Sequence, residues 1–259
     1  MVEERHVYHQ ILVIIVAPFI GSFLGVLIGR LPDGRPVVAA RSACESCHRP
    51  LGPLDLVPFF SYLAMRGKCR HCGATVDPFH FWIELAALVP ALWAAGLDDG
   101  LRLWADCGLG WSLLALSWID WRHMILPDVL TLPLLLAGLG LSLWLDPGNI
   151  VDHAAGAAIG YLLFRGVAWA YRALRGRDGL GEGDAKLLAA SGAWVAWYGI
   201  APVMLIAALT GLAAALVSLL RGRRLDAQTA IPFGPCLAFA TWLVWLYGAA
   251  LVGGDGGLG

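Results

Sequence analysis

Two aspartates, Asp120 and Asp184, lie at the borders of hydrophobic segments of this chain. Asp120 opens Asp-Trp-Arg-His-Met-Ile-Leu-Pro-Asp, and Asp184 ends Gly-Glu-Gly-Asp. An ionisable side chain at membrane depth is costly, so each aspartate indicates a functional site. If the two carboxyl groups meet, they cannot both ionise easily, and one holds a proton while the other accepts one from water. Such a pair could hydrolyse a peptide bond by general acid–base catalysis, without a covalent intermediate.

Two other interpretations of these aspartates stay open. Each aspartate could cap a helix end without ever meeting the other, because a helix N-terminus favours negative charge. Alternatively, the two carboxylates could form part of a proton or cation relay, as acidic residues do in transporters.

Four of the six cysteines form two Cys-x-x-Cys pairs, Cys44 with Cys47 and Cys69 with Cys72. Four thiolates satisfy a tetrahedral zinc ion, and a reducing cytoplasm disfavours disulfides. We therefore predict a structural zinc site, although another thiophilic ion would fit the same ligands. Four cysteines leave no open coordination position, so the metal is not expected to perform the chemistry. The alternative is four unligated thiols in a basic loop.

Turn-forming residues surround both aspartates. Pro127 cannot continue a helix, so we expect one helix to end and another to begin there, with Asp120 near the end of the first. Gly181 and Gly183 allow close backbone approach and unusual torsions just before Asp184. Asp184 would then lie in the first turn of a helix, at a depth similar to that of Asp120.

Three more charged residues lie close to these predicted sites in the sequence. Asp128 is expected to cap the start of a helix, although it could instead orient the turn or assist catalysis. Lys186 is expected to pair with an aspartate or to reach lipid headgroups. Glu84 lies one turn into an apolar segment, where we expect it to pair with a basic residue of the preceding loop.

The composition indicates a membrane protein that crosses the bilayer several times. The chain has 259 residues, of which 59% are hydrophobic and only 14% charged, whereas an ordinary soluble domain has about 25% charged residues. The net charge of −1 predicts no nucleic-acid partner. We predict an all-α polytopic protein with eight transmembrane helices. Their approximate limits are 10–29, 80–97, 103–120, 127–145, 151–172, 185–199, 200–220 and 232–252.

The distribution of positive charge predicts the orientation. Most of the 18 Lys and Arg residues fall in alternate loops, above all in 30–79 and 172–186, and the positive-inside rule places these loops in the cytoplasm. This puts the N-terminus outside and requires an even number of spans. The cysteine loop, Asp120 and Asp184 are then all on the cytoplasmic side.

These motifs together resemble the type IV prepilin peptidases, which are membrane aspartic proteases. The segment 21–32 resembles the first span of that family, and 41–73 resembles its cytoplasmic zinc-binding domain. The segment 78–84 is similar to the start of the second span. The segment 120–128 fits Asp-x6-Pro-Asp, and 181–186 fits Gly-x-Gly-Asp-x-Lys. The chain departs from the family at Gly25, where the family usually has Asn.

The resemblance implies an activity and a location. Members remove the basic leader from type IV prepilins, or from pilin-like subunits of type II secretion systems, at the cytoplasmic face of the bacterial inner membrane. Asp120 and Asp184 would be the catalytic pair, and zinc would be bound by the cysteines. Many members also N-methylate the new N-terminus with S-adenosylmethionine. The implied domains are a first transmembrane helix (1–29), a four-cysteine domain (30–79) and a transmembrane peptidase domain (80–259).

A non-catalytic interpretation also stays open. The chain could be a zinc-binding membrane assembly factor whose cysteine loop recruits a cytoplasmic ATPase. That interpretation predicts that replacing both aspartates by asparagine preserves function. A transporter, in contrast, would need a polar path through the membrane, and the polar residues of this chain gather instead at the predicted inner edge.

Overall fold

The computed structural model describes residues 2–37, 41–176, 181–222 and 232–251, with side chains from 7 to 248 within those ranges. All the regular secondary structure of the described residues is helical, and β-pairing there is limited to isolated bridges in the cysteine loop. The eight α-helices are α1 (Val2–Arg30), α2 (Phe60–Ala64), α3 (Phe79–Ala95), α4 (Gly100–His123), α5 (Asp128–Leu145), α6 (Ile150–Arg175), α7 (Glu182–Leu220) and α8 (Gly234–Leu251). The predicted all-α class is confirmed.

Three helices are long and apolar enough to cross a membrane: α1 from Val7 to Arg30, α5, and α7. The helix α3 and the Gly234–Gly248 part of α8 are apolar but shorter. Many large apolar side chains of these helices are exposed in the isolated chain, as expected where lipid surrounds a protein. The chain therefore has the character of a membrane protein, while the count of eight spans stays a prediction.

The helix α7 is interrupted at Ala196. This residue has φ 58° and ψ −179°, a conformation outside the helical region, so α7 consists of two helical segments joined at a kink. The sequence placed a boundary between 199 and 200, close to this break. The two segments are about 20 Å and about 35 Å long at 1.5 Å per residue.

Residues Met1–Ala115 form one compact unit. Within it, α1 packs against α3, and their backbones approach closely at Gly21. A methyl group at Gly21 would lie 2.6 Å from the Cα atom of Glu84. Glycine at this position therefore allows the two helices to touch, as small residues do between helices in membranes.

Residues Leu116–Gly259 form the second unit, in which α5, α6 and α8 all pack against α7. The first segment of α7 is almost entirely buried from Ala185 to Ala196. Its contact with α6 depends on Gly160, where a methyl group would lie 2.5 Å from the carbonyl oxygen of Leu188. The helix that begins next to Asp184 is thus the central element of this unit.

The predicted three-domain division and the predicted orientation stay predictions. The boundaries of the two compact units are defined by helix packing, whereas the predicted domains are defined by the roles expected of them. Three of the arginines used for the orientation, Arg177, Arg223 and Arg224, lie outside the described residues.

Candidate active site and metal centre

Asp120 lies in the last turn of α4 and is only 5% exposed. Its Oδ2 atom accepts a hydrogen bond of 2.9 Å from the backbone N–H of Gly234, the first residue of α8. The N-terminus of a helix carries a partial positive charge and has unpaired N–H groups. The start of α8 therefore stabilises a negative charge on Asp120 and fixes the orientation of its carboxylate.

Glycine at position 234 is required for this contact, and its place in the site was not predicted from the sequence. A methyl group at Gly234 would lie 2.6 Å from Oδ2 and 2.9 Å from Cγ of Asp120. A signal was present in the sequence, because Pro-Phe-Gly-Pro at 232–235 marks a turn directly before the last apolar segment. That signal predicts where a helix starts, but not that the start of this helix contacts Asp120.

Asp184 lies in the first turn of α7 and is partly buried. Its carboxylate accepts a hydrogen bond from the backbone N–H of Gly181, so the first glycine of the motif holds the side chain from the N-terminal side. Gly183 has a different role. A methyl group there would lie 2.8 Å from the Cβ atom of Leu126, so glycine lets this turn pack against the connection between α4 and α5.

That connection has the geometry predicted from Pro127. The helix α4 ends at His123, and Met124 then adopts φ 56°, which turns the chain away from the helix axis. Pro127 is the N-cap of α5, with φ −67° and ψ 134°. The prediction that one helix ends and another begins at this proline is confirmed.

Lys186 and Asp128 pair with each other. The Lys186 Nζ atom lies 2.8 Å and 3.0 Å from the two carboxylate oxygens of Asp128, and 3.3 Å from Oε1 of Glu182. These contacts join the first turn of α7 to the first turn of α5. The predicted pairing of Lys186 with an aspartate is confirmed, and the partner is Asp128.

The two site aspartates lie close enough for their charges to interact. Each also accepts one backbone N–H near a helix N-terminus, from Gly234 in one case and from Gly181 in the other. Helix-end placement and mutual proximity, which the sequence analysis treated as alternatives, therefore occur together. Two carboxyl groups whose charges interact can divide the roles of acid and base between them, which is the combination that general acid–base hydrolysis uses.

Glu84 belongs to the first compact unit and is only 7% exposed. Its Oε2 atom accepts a 2.9 Å hydrogen bond from the backbone N–H of Phe59, and the carboxylate also accepts one from the hydroxyl of Ser22. The sequence predicted a basic partner, and this prediction is wrong for the partners that the structure gives. The partners that the structure gives are neutral donors, because Phe59 precedes α2 and has a backbone N–H available at that helix start.

Gly25, where the chain departs from the family pattern, also lies in this unit. A methyl group there would lie 3.0 Å from Nδ1 of His80 and 3.2 Å from Cγ2 of Ile83. The His80 ring therefore takes the space into which a longer side chain at 25 would extend.

The four cysteines form one cluster. All four Sγ atoms lie within 4.8 Å of one another, and the Cys44 and Cys72 sulfurs are 3.8 Å apart. A tetrahedral zinc ion with Zn–S bonds of about 2.3 Å separates its sulfurs by about 3.8 Å. The cluster therefore fits a closed tetrahedral metal site.

The cluster is built from two similar turns. The backbone N–H of Cys44 donates to Arg49 at 3.0 Å, and that of Cys69 donates to Ala74 at 2.8 Å. A residue with positive φ follows each pair, namely His48 at 56° and Gly73 at 72°. His48 thus has a backbone role in its turn.

The thiols of the cluster differ in acidity. Hydrogen bonds from the backbone N–H groups of Cys47 and Ser46 lower the pKa of Cys44 to about 6. For Cys72, the backbone N–H of Ala74 lowers the pKa, but desolvation and the neighbouring thiols outweigh it and raise the pKa to about 11. Four thiols this close cannot all ionise without a cation, which is the role a bound metal ion would have.

Comparison with known proteins gives consistent matches along the chain. Residues 15–96 match the Bacterial Peptidase A24 N-terminal domain, and residues 107–216 match the Type IV leader peptidase family. A prepilin leader peptidase/N-methyltransferase of Burkholderia pseudomallei is 40% identical over 87% of this chain and 81% of its own length. Proteins of the same name from Aeromonas hydrophila and Pseudomonas aeruginosa are 37% and 36% identical, over 93% and 91% of this chain and 91% and 89% of their own lengths. No solved structure matches the chain.

Proposed function

The chain belongs to the type IV leader peptidase family, and we propose that it cleaves the leader peptide from prepilins or pilin-like secretion subunits and N-methylates the new N-terminus. It is a bacterial membrane protein, as its apolar helices and its relatives indicate. The observation that carries the peptidase proposal is the aspartate pair. Asp120 is held by the start of α8 within reach of the charge of Asp184.

Asp120 and Asp184 are the proposed catalytic residues. The ionised carboxylate accepts a proton from a water molecule, whose oxygen attacks the carbonyl carbon of the scissile peptide bond. The protonated carboxyl group donates its proton to the carbonyl oxygen. Collapse of the tetrahedral intermediate breaks the C–N bond. The leaving amine takes up a proton from the carboxyl group that had accepted one from water, and the other carboxylate takes back a proton from a hydroxyl of the intermediate, which restores the pair.

The remaining site residues are proposed to position this pair. Gly181 donates a hydrogen bond to Asp184, and Gly183 allows its turn to pack on Leu126. Lys186 and Asp128 join the start of α7 to the start of α5, which begins after Pro127. Glu84 supports the other unit instead, where it holds the start of α2.

Cys44, Cys47, Cys69 and Cys72 are proposed to bind zinc. The sulfur spacing supports this assignment, and four protein ligands leave no place for a reactive water. The metal would therefore stabilise the fold of the cysteine loop. S-adenosylmethionine would be the methyl donor, as the names of the relatives suggest, and the residues that would bind it are unassigned.

The proposed topology has the N-terminus outside and the aspartate pair at the cytoplasmic face. Its support is the concentration of Lys and Arg in the loops that would be cytoplasmic. A prepilin has an apolar helix behind a basic leader, so its cleavage site would lie at the same membrane face. The partners would then be the prepilin and the surrounding lipid.

Cleavage by the purified protein tests this proposal. The full chain would be reconstituted in liposomes with a pilin-like precursor and S-adenosylmethionine, and leader removal would be followed by mass spectrometry. Wild type should remove the leader and add the mass of one methylene group to the product. Asp120→Asn and Asp184→Asn should each abolish cleavage, whereas Asp33→Asn, at an exposed aspartate paired with Arg35, should not. Cleavage by both site variants would refute the aspartate pair, whereas no cleavage by well-folded wild type would favour an assembly factor.

A further inference from the structure

An apolar surface lies on the loop segment that also carries the cysteine cluster. It consists of Leu54 and Leu56, in the 3-10 turn Pro53–Leu56, and of Phe60 and Leu63, in α2. Leu54 is 71% exposed and Phe60 is 74% exposed. The turn and α2 contact each other, which brings these four exposed apolar side chains into one region of the loop, called the patch below. A patch of this kind on a loop domain indicates a surface that is covered in the native environment.

The other side of α2 is fixed to the start of α3. The Phe59 and Tyr62 rings lie 5.7 Å and 5.4 Å from the Phe81 ring, centroid to centroid. Phe81 in turn contacts Trp82, whose side chain is 56% exposed. Exposed tryptophans at the ends of apolar helices are typical of the boundary between lipid and water.

A hydrogen bond sets the level of α2 along α3. The backbone N–H of Phe59 donates to Oε2 of Glu84, which lies about 8 Å along the helix axis from Phe79 at 1.5 Å per residue. The start of α2 is therefore beside the second turn of α3 and not beyond its end. The 17 residues of α3 span about 25 Å, less than the hydrocarbon thickness of about 30 Å. A helix this short that crosses the bilayer has its first turns close to the boundary between headgroups and acyl chains, so α2, which starts beside the second turn, lies near that boundary.

We propose that the patch of Leu54, Leu56, Phe60 and Leu63 inserts into the bilayer at the boundary between headgroups and acyl chains. The exposed side chains of Arg66 and Lys68 follow α2 directly and would meet lipid phosphates. Apolar side chains beside basic ones are the composition of interfacial segments that prefer anionic lipid.

This docking would tether the loop that carries the cysteine cluster to the membrane surface. Arg70 lies between the two ligands Cys69 and Cys72, and its Nε atom pairs with Oδ1 of Asp55 at 3.0 Å, within the same 3-10 turn that carries part of the patch. This ion pair therefore links the turn that carries part of the patch to the turn that contains Cys69 and Cys72. The inference does not depend on the proposed catalytic activity.

Photo-crosslinking to lipid tests the inference without reference to activity. Benzoylphenylalanine would replace Phe60, or Leu63 in a second variant, in the full chain reconstituted in liposomes of phosphatidylglycerol and phosphatidylcholine. The matched control carries it at Glu45, which is exposed between two cysteines. After irradiation, mass spectrometry should detect phospholipid adducts several-fold more often at 60 and 63 than at 45, with a preference for phosphatidylglycerol that Arg66→Gln with Lys68→Gln reduces. Lipid adducts no more frequent at 60 and 63 than at 45, or adducts there only to protein, would overturn the proposal.

Discussion

Replacing Gly234 by alanine tests the geometry of the aspartate pair most directly. The new methyl group would lie 2.6 Å from Oδ2 of Asp120, whereas ordinary van der Waals contact begins at 3.4 Å. The carboxylate or the start of α8 must therefore move by about 0.8 Å, and a displacement of about 1 Å in a catalytic constellation costs about 10²-fold in rate. The same change weakens the hydrogen bond from the Gly234 N–H.

We expect Gly234→Ala to lower kcat/KM for leader cleavage by about 10²-fold, which corresponds to about 2.7 kcal/mol of transition-state stabilisation. The fold should persist, because the clash is with one side chain at a helix end. The assay is the initial rate of leader removal in liposomes, with thermal unfolding of the purified protein measured alongside.

Gly248→Ala is the matched control for this variant. It lies in the same helix, and its nearest neighbour outside the helix backbone, Cγ1 of Val244, would be at 3.6 Å from the new methyl group, an ordinary contact. Wild-type kcat/KM in Gly234→Ala would refute the positioning role of the α8 start. An equal loss in Gly248→Ala would mean that α8 responds to any added volume, and the specific contact would again be refuted.

Three further outcomes follow from the packing and the metal cluster. Gly183→Ala should reduce leader cleavage by displacing the turn that carries Asp184, and adding Leu126→Gly should restore part of the rate, because the closest atom to the new methyl group is the Cβ atom of Leu126 at 2.8 Å, which glycine lacks; failure of this rescue in the cleavage assay would contradict the proposed packing role. Gly160→Ala should destabilise the protein by about 1–3 kcal/mol through overpacking, whereas Gly166→Ala, with nothing within 4 Å, should not lower the midpoint of thermal unfolding. Cys44→Ser should release most of the bound metal, as measured by elemental analysis. In wild type the metal should also dissociate as the pH falls, because thiolate ligands bind protons in competition with the metal. Metal content that is unaffected by Cys44→Ser would exclude the four-cysteine site.

The sequence was sufficient where function depends on local pattern. Pro127 sets a helix start without help from distant contacts, because its ring excludes a continuing helix. The two Cys-x-x-Cys pairs likewise form similar local turns, and the cluster they build fits the predicted metal site. These features need only neighbouring residues to form.

The features that the sequence did not predict depend on distant contacts. The bond between Gly234 and Asp120 joins positions 114 residues apart, and no local spacing encodes it. The break in α7 is similar. Tyr198, Gly199 and Pro202 suggested a boundary near 200, but the non-helical residue is Ala196, whose backbone packs against Gly156 of α6. At both places, tertiary packing outweighs local preference.

The two carboxylates are supported in matching ways, and this bears on how they share a proton. Asp120 receives an N–H from Gly234 at the start of α8, and Asp184 receives one from Gly181 just before α7. Each lies near the positive end of a helix dipole, which favours negative charge, while the charge on either carboxylate disfavours ionisation of the other. Because neither carboxylate has a full positive charge as its own described partner, a single proton can reside on either side. An asparagine at either position would fix a neutral side chain there and prevent the two residues from exchanging the roles of acid and base during the reaction. Either substitution should therefore abolish cleavage.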